Sequence, residues 1–367
     1  MLLAIAENMQ FIEKVSNNEK ELTEQFTRNL PYLLKGFKVR GIKTQPKGIN
    51  NYDWDLTAEI IAGKIRKKLV FEIKTIGEPK SAMVSIPILE SATKSVKNSY
   101  PVFVSGYISE RTRKLLKERD IGYMDLTGNI FLKFDDVWMD RSAPESFKRE
   151  RRALKQIIAP KATRVLRTLL TRPNEEMKIT DLARLCSMSP GGIYWVVRLL
   201  EEKGYVERDS NKRVILVRPD ELLDDWAKSW DIRKNSWTTY FSFEKNPEAL
   251  MRIIAEFGNN RKLDYAFTLM AGSSLVAPFV RFQDVWMYSD SDEKEWIEGL
   301  DLRPVTTGGN LMIIKPYDGG VFMDAQSIKD MNVVSNIQLY VDLYNYAARG
   351  REQAEFLKER MIKFKER

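Results

Sequence analysis

The sequence predicts a multidomain α/β protein with an N-terminal α/β block, a central unit of three helices and a hairpin, and a C-terminal α/β block. Three observations carry this reading. Runs of β-branched and aromatic residues alternate with helical 3.6-residue patterns over 1–140 and again over 219–367, as layered α/β folds require. Residues 159–218 instead hold three short apolar helices and two brief strands, preceded by a charge-rich connector over 141–158. At 367 residues the chain is long enough for two or three domains.

In the first block, helical sequence runs to about residue 34. Within it, Glu19-Lys-Glu-Leu-Thr-Glu-Gln-Phe26 sets charged and apolar side chains at helical spacing. Strands are expected over 37–42, 53–61 and 68–73, then a helix over 85–97 and the short buried strand Pro101-Val-Phe-Val-Ser105. An amphipathic helix over 109–119 carries a serine cap, and Gly122-Tyr-Met-Asp-Leu126 and Asn129-Ile-Phe-Leu-Lys-Phe134 close the block as two strands. In the connector, Lys148-Arg-Glu-Arg-Arg152 reads as a solvated linker or helix face rather than a phosphate clamp.

The central unit is the most informative part. Val165, Leu166, Leu169 and Leu170 mark its first helix, and Ile179-Thr-Asp-Leu-Ala-Arg-Leu-Cys186 its second. After the turn Ser187-Met-Ser-Pro190, the helix from Gly191 to Lys203 is stopped by Gly204, which suits a left-handed C-cap. Two strands around the polar, basic turn at Lys212-Arg213 complete a winged helix-turn-helix. Ser189 caps the third helix, Pro190 fits its first turn, and Tyr194 and Arg198 fall on the side expected to face a groove of double-stranded DNA. Lys212 and Arg213 would meet the phosphate backbone, while Trp195 is expected on the buried side. A winged helix can also serve protein contacts alone.

In the last block a helical segment over 221–230 links to expected helices over 247–257, 333–347 and 353–367. Strands are expected at 264–270, 285–288, 311–314 and 321–323. Gly308-Gly309 and Gly319-Gly320 read as hairpin turns.

Chemistry is bounded by composition. The chain has no histidine, which removes Ser-His-Asp and Cys-His catalysis and imidazole acid–base work. Any reaction would rest on carboxylates, lysine and a hard cation. Lys and Arg number 59 against 51 Asp and Glu, a formal charge of +8 that favours polyanionic partners. One cysteine, Cys186, permits no internal disulfide and fits a reducing, cytoplasmic setting. No apolar run approaches the ~20 residues that span a bilayer, so no membrane association is expected. Met1-Leu-Leu-Ala-Ile-Ala-Glu-Asn8 lacks the features of a signal peptide.

One constellation meets that constraint. Asp55 begins a strand, and Glu72 and Lys74 share a face of the next by the two-residue period. Two carboxylates beside a lysine can hold Mg2+ or Mn2+ and activate water for phosphodiester hydrolysis. Asp, hairpin and Glu-x-Lys in this order resemble the PD-(D/E)xK nuclease superfamily. The resemblance implies a restriction-endonuclease-like α/β domain over 1–140, with Asp55, Glu72 and Lys74 catalytic and Asp55 and Glu72 on the metal. Glu24, or else Glu21, would be the upstream helical acid. The motif departs from the family in having Trp54 before Asp55, and Asp53 offers a competing carboxylate. Glu-x-Lys is also common on ordinary solvent-facing strands.

A second resemblance covers about 101–359. The strand and charged helix before Gly122-Tyr-Met-Asp-Leu-Thr-Gly-Asn129, the winged helix, Leu269-Met-Ala-Gly-Ser-Ser-Leu-Val-Ala-Pro-Phe279 and Leu339-Tyr-Val-Asp-Leu-Tyr344 are similar to AbiEi-type antitoxin regulators of type IV toxin–antitoxin systems. This implies promoter repression by the winged helix, without a cofactor, and a nucleotidyltransferase-like toxin from the same operon as partner. Gly272-Ser273-Ser274 also resembles the turn of a nucleotidyltransferase itself. There the later strand offers Asp284-Val-Trp286 and lacks the second carboxylate, and Asp290 and Asp292 lie beyond it. At most the resemblance implies a degenerate nucleotidyltransferase-like fold for the C-terminal domain.

Overall fold

A computed structural model describes residues 18–44, 54–143, 157–347 and 349–364. Asp53, the 148–152 basic run and the first eight residues lie outside these. The chain forms two compact units, Met1–Ala153 with Glu202–Gly204, and Leu154–Glu201 with Tyr205–Arg367.

The first unit is a seven-stranded sheet in simple sequence order, from β1 (Lys38–Thr44), β2 (Leu56–Ala62) and β3 (Ile65–Lys74) to β4 (Ser99–Ser105), β5 (Gly122–Asp125), β6 (Ile130–Phe134) and β7 (Val137–Arg141). Strands β3, β4 and β5 run parallel, so helical crossovers must join them. These are α2 (Pro79–Ser95) and α3 (Glu110–Glu118), the latter capped by Ser109 as expected. Helix α1 (Glu19–Leu33) lays Leu22, Phe26 and Leu30 against Leu56, Phe71 and Ile73 on one sheet face. On the other face Ala82, Ile86, Leu89 and Leu116 pack with Phe103, Tyr123 and Phe131. Strand β7 is an addition to the sequence reading. Its half-exposed pattern and short length leave no clean alternation.

The Gly122–Asn129 motif closes around buried Asp125. Its carboxylate accepts hydrogen bonds from the Thr127 and Asn129 amides at 2.9 and 3.0 Å, the Ile108 amide at 3.0 Å and the Asn129 side chain at 2.6 Å. Every oxygen is engaged by protein donors, so this aspartate is structural.

The second unit begins with α4 (Ala162–Thr171), α5 (Ile179–Leu185) and α6 (Pro190–Glu202), closed by the hairpin β8 (Val206–Arg208) and β9 (Val214–Leu216). The expected winged helix is therefore present. Helix α7 (Pro219–Ser229) leads into a mixed sheet of order β13-β10-β14-β12-β11-β16-β15. Its strands are β10 (Ser236–Phe241), β11 (Tyr265–Phe267), β12 (Val285–Ser289), β13 (Arg303–Pro304), β14 (Leu311–Lys315), β15 (Gln326–Ile328) and β16 (Met331–Val333). Helices α8 (Pro247–Arg261), α9 (Leu269–Val276), α10 (Glu293–Gly299), α11 (Asn336–Tyr344) and α12 (Gly350–Met361) complete it. One hydrophobic core runs from Leu166 and Leu200 to Leu339 and Leu357, so the 218/219 boundary marks a change of architecture within one core.

Four expectations in this block are corrected. The 321–323 run is not a strand: Asp318 caps a 3-10 turn over Gly319–Phe322, which also replaces the hairpin expected at Gly319-Gly320. The 333–347 segment starts as β16, because Val333 pairs with Phe267, and becomes helical only at Asn336. Gly272-Ser273-Ser274 lies inside α9 rather than in a turn. A Cβ on Gly272 would sit 2.8 Å from the Phe267 carbonyl oxygen and from Leu339, so this small residue serves close helix–sheet packing.

Helix α4 is buried on all sides, including Arg167, which is 0% exposed. The guanidinium donates to Gln338 Oε1 at 2.6 and 2.9 Å, to Tyr317 at 2.8 Å and to Thr163 at 2.8 Å, and it packs over Trp226. Gln338 in turn donates to Asp342, which also accepts from Trp230, Thr268 and Tyr288. Gln338→Leu should destabilise the protein by about 2–4 kcal/mol, because it strands a buried cation. Arg167→Met in the same chain should restore part of that loss. Denaturant melts of the single and double variants measure this, and a double variant no more stable than Gln338→Leu contradicts it.

Candidate nucleic-acid interface and acidic cluster

Helix α6 starts where Ser189 Oγ accepts a hydrogen bond from the Gly192 amide at 3.2 Å, with Pro190 as the first helical residue. Ile193, Val196, Val197 and Leu200 turn inward at helical spacing. Tyr194 and Arg198, four residues apart, occupy the exposed side, with Tyr194 50% accessible. Trp195 is also exposed, at 48%, against expectation. It sits two residues, or about 200°, from Ile193, which turns it away from the inward stripe.

The wing is held by Asp209, which accepts the Arg213 amide at 2.7 Å, while Lys212 turns the chain at φ +60° with an exposed side chain. Arg213 is half-buried, and its guanidinium lies 3.5 Å from Glu176. Arg208, which the sequence reading missed, stands with its guanidinium carbon 4.9 Å from the centre of the Tyr194 ring. It ties the wing to the exposed face of α6 through a cation–π contact. Its signal in the sequence was its place as the last residue before the wing turn.

In the other unit, Asp55 directly precedes β2, its amide donating to the Phe71 carbonyl at 3.1 Å. Its carboxylate accepts the Ile73 amide at 2.7 Å. Lys74 lies 2.9 Å from Glu72 and 3.1 Å from Glu19. The predicted trio is thus assembled by the β2–β3 hairpin. The helical acid paired with Lys74 is Glu19, where the sequence pointed to Glu24 or Glu21. Glu19 opens α1 at the end of β3, whereas Glu24 lies about 140° further round the helix and is exposed.

Glu72 is 3% exposed, and its Oε2 has no hydrogen-bond partner among the described residues. Burial, reinforced by the charge of Asp55, pushes its pKa up to about 7 against the pull of Lys74. Burial also raises Asp55, with the Ile73 amide opposing. Burial works against the Lys74 ammonium, but Glu72 and Glu19 hold its pKa above the ordinary lysine value. Among the described residues no group of three or more acids, histidines or cysteines is placed to hold a metal.

The acids that a catalytic nucleotidyltransferase site would need have other partners here. Asp290 is 2.9 Å from Lys315, and Asp292 caps α10 by accepting from the Lys294 amide. Neither is gathered with Asp284.

A family profile described as "Transcriptional regulator, AbiEi antitoxin, Type IV TA system" matches residues 215–363. A second, the IclR helix-turn-helix domain, matches residues 159–210. These matches bear out the expected winged-helix DNA-binding unit and the antitoxin-regulator domain that follows it. No curated protein matches. Among solved structures, a repair endonuclease from Pyrococcus abyssi is 19% identical over 31% of this chain and 49% of that one, with a TM-score of 0.25. EndoMS in its apo form is 16% identical over 30% of this chain and 47% of that one, with a TM-score of 0.23. The chain spans about half the length of these structures.

Glu72 makes stability depend on pH. With a folded pKa above the ordinary 4.5, its contribution is complete below about 4.5 and is lost as pH rises through about 7. Glu72→Gln should therefore gain on the wild type by as much as about 3 kcal/mol between pH 4.5 and pH 8. Parallel stability curves for the two proteins over that range would contradict it.

Proposed function

We propose that this chain is a sequence-specific transcriptional regulator that represses its own operon as the antitoxin of a type IV toxin–antitoxin pair. The carrying observation is the exposed Tyr194–Arg198 face of α6, braced by Arg208 and flanked by Lys212. Seated in the major groove, Tyr194 and Arg198 would reach base edges, while Ser189 at the helix start and Lys212 and Arg213 on the wing would meet phosphates. The partner toxin would be nucleotidyltransferase-like. Among the described residues no helix is long and apolar enough to cross a membrane.

Affinity for promoter duplex should fall steeply with salt, because bound cations displace condensed counterions. Alanine at Lys212 and Arg213 should reduce the salt slope by about one unit per lost phosphate contact. Alanine at Tyr194 or Arg198 should instead relax discrimination by roughly 1–3 kcal/mol. Mobility shifts across a salt series measure both. Intact affinity and preference with all four replaced would reject this interface.

The orphaned Glu72 oxygen favours a second reading, a metal-dependent DNA endonuclease targeted by the winged helix. The residues fit such an ion. Asp55 and Glu72 would hold Mg2+ or Mn2+, and the metal would polarise phosphate and lower the pKa of its water. Lys74 would orient that water or the phosphate. On this reading, supercoiled plasmid is nicked only with Mg2+ or Mn2+, and Asp55→Ala, Glu72→Ala and Lys74→Ala each abolish nicking. Mg2+ would also raise the melting temperature of the wild type and not of Glu72→Gln. Uncut plasmid under both metals, with DNA binding retained, leaves the regulator reading alone.

A further inference from the structure

The β1–β3 sheet edge presents a second cationic surface. Paired residues of antiparallel strands point to the same sheet face. The register therefore builds three rows: Lys38, Ile61 and Arg66; Arg40, Glu59 and Lys68; Lys43, Thr57 and Val70. In these rows five cations and one carboxylate share that face, which continues along β3 to the paired Glu72 and Lys74. All five cations are exposed, and none has an acidic partner among the described residues. The opposite face behaves differently, since Lys67 there is held 3.2 Å from Asp135 and stands over the Phe134 ring.

A backbone irregularity sharpens this arrangement. Strict alternation along β1 would set Ile42 beside Lys38 and Arg40. The register instead shifts between Arg40 and Lys43, at Gly41 with φ +58°, and Lys43 takes that place. Residues two apart on a strand lie about 7 Å apart, and β1 and β3 about 10 Å, so the cations repel one another with little internal neutralisation. Measured along the helix axis, the same ~7 Å separates phosphates two nucleotides apart on one strand of a duplex.

We infer that this face of β1–β3 is a second DNA-contacting surface, gripping the phosphate backbone of duplex without reading bases. Charge complementarity selects a polyanion. The choice of duplex DNA rests on the winged-helix reading above.

The test uses the full chain carrying Lys38→Gln, Arg40→Gln, Lys43→Gln, Arg66→Gln and Lys68→Gln together, against random-sequence duplex over a salt series. The salt slope should fall by up to about 4.5 units, at about 0.9 for each of the five phosphate contacts, and affinity at moderate salt should fall more than tenfold. Discrimination of the promoter over random duplex, read as a ratio, should stay unchanged. Glu59→Gln should do the opposite, tightening binding and steepening the slope, which a misfolded protein would not do. An unchanged slope in the five-residue variant overturns the inference, as does Glu59→Gln without a gain. Stronger competition by single-stranded DNA or RNA than by duplex overturns the assigned occupant. Because Tyr194, Arg198, Lys212 and Arg213 stay intact, failure here is distinguishable from failure of the winged-helix reading.

Discussion

Arg167 has no exposed surface, so its guanidinium must find every partner inside the protein. It finds an amide oxygen, two hydroxyls and an aromatic face rather than a carboxylate. Its formal counter-charge, Asp342, stands one residue further along the hydrogen-bond chain, beyond Gln338. Such a relay works only if α4, α11 and the 317 loop keep their relative positions, because a shift by one helical turn would leave a charge unsatisfied. The network therefore fixes the first helix of the winged unit against the C-terminal sheet. Two further ion pairs, Arg164 with Asp318 at 2.7 Å and Arg172 with Asp324, lie along the same contact. Helix α6 is presented from a rigid base, and this is what a groove-reading helix needs.

Much of this was legible in the residues, for reasons that differ by element. The winged unit is governed by local signals: a Ser-Pro start, an apolar i, i+3, i+4 stripe, and Gly204 at φ +70° after the last helical turn. Those same rules, applied strictly, place Trp195 outward. A large aromatic side chain invites the opposite guess. Asp55, Glu72 and Lys74 were legible because strand period and one short hairpin determine their neighbours. Glu19 was not, since which turn of a helix meets a strand end depends on packing of Phe26 against Phe71. The C-terminal sheet was hardest. Strands of two or three residues such as β13, β15 and β16 exist only through their partners, and no periodicity can announce them. Gly272-Ser273-Ser274 misled for a related reason, since small residues suit a turn and a tight helix–sheet contact equally.

The absence of histidine changes how this protein can respond near neutral pH. Among the described residues, carboxylates displaced upward by burial take its place, and two of them differ in what surrounds them. Asp342 is more deeply buried, yet it is displaced from the ordinary 3.8 only to about 6, no further than Glu72 is from 4.5, because Thr268, Trp230, Gln338 and Tyr288 all stabilise its charged form. Glu72 rises to about 7 with Lys74 as its one stabilising side chain and an oxygen left bare. Burying an unsatisfied carboxylate oxygen costs free energy that a second donor would remove at little structural expense. Asp125, two strands away, shows the same sheet supplying such donors in full. The bare oxygen of Glu72 thus reflects its own position rather than a lack of donors in the sheet, and on the proposed endonuclease reading it is the atom that Mg2+ or Mn2+ would meet.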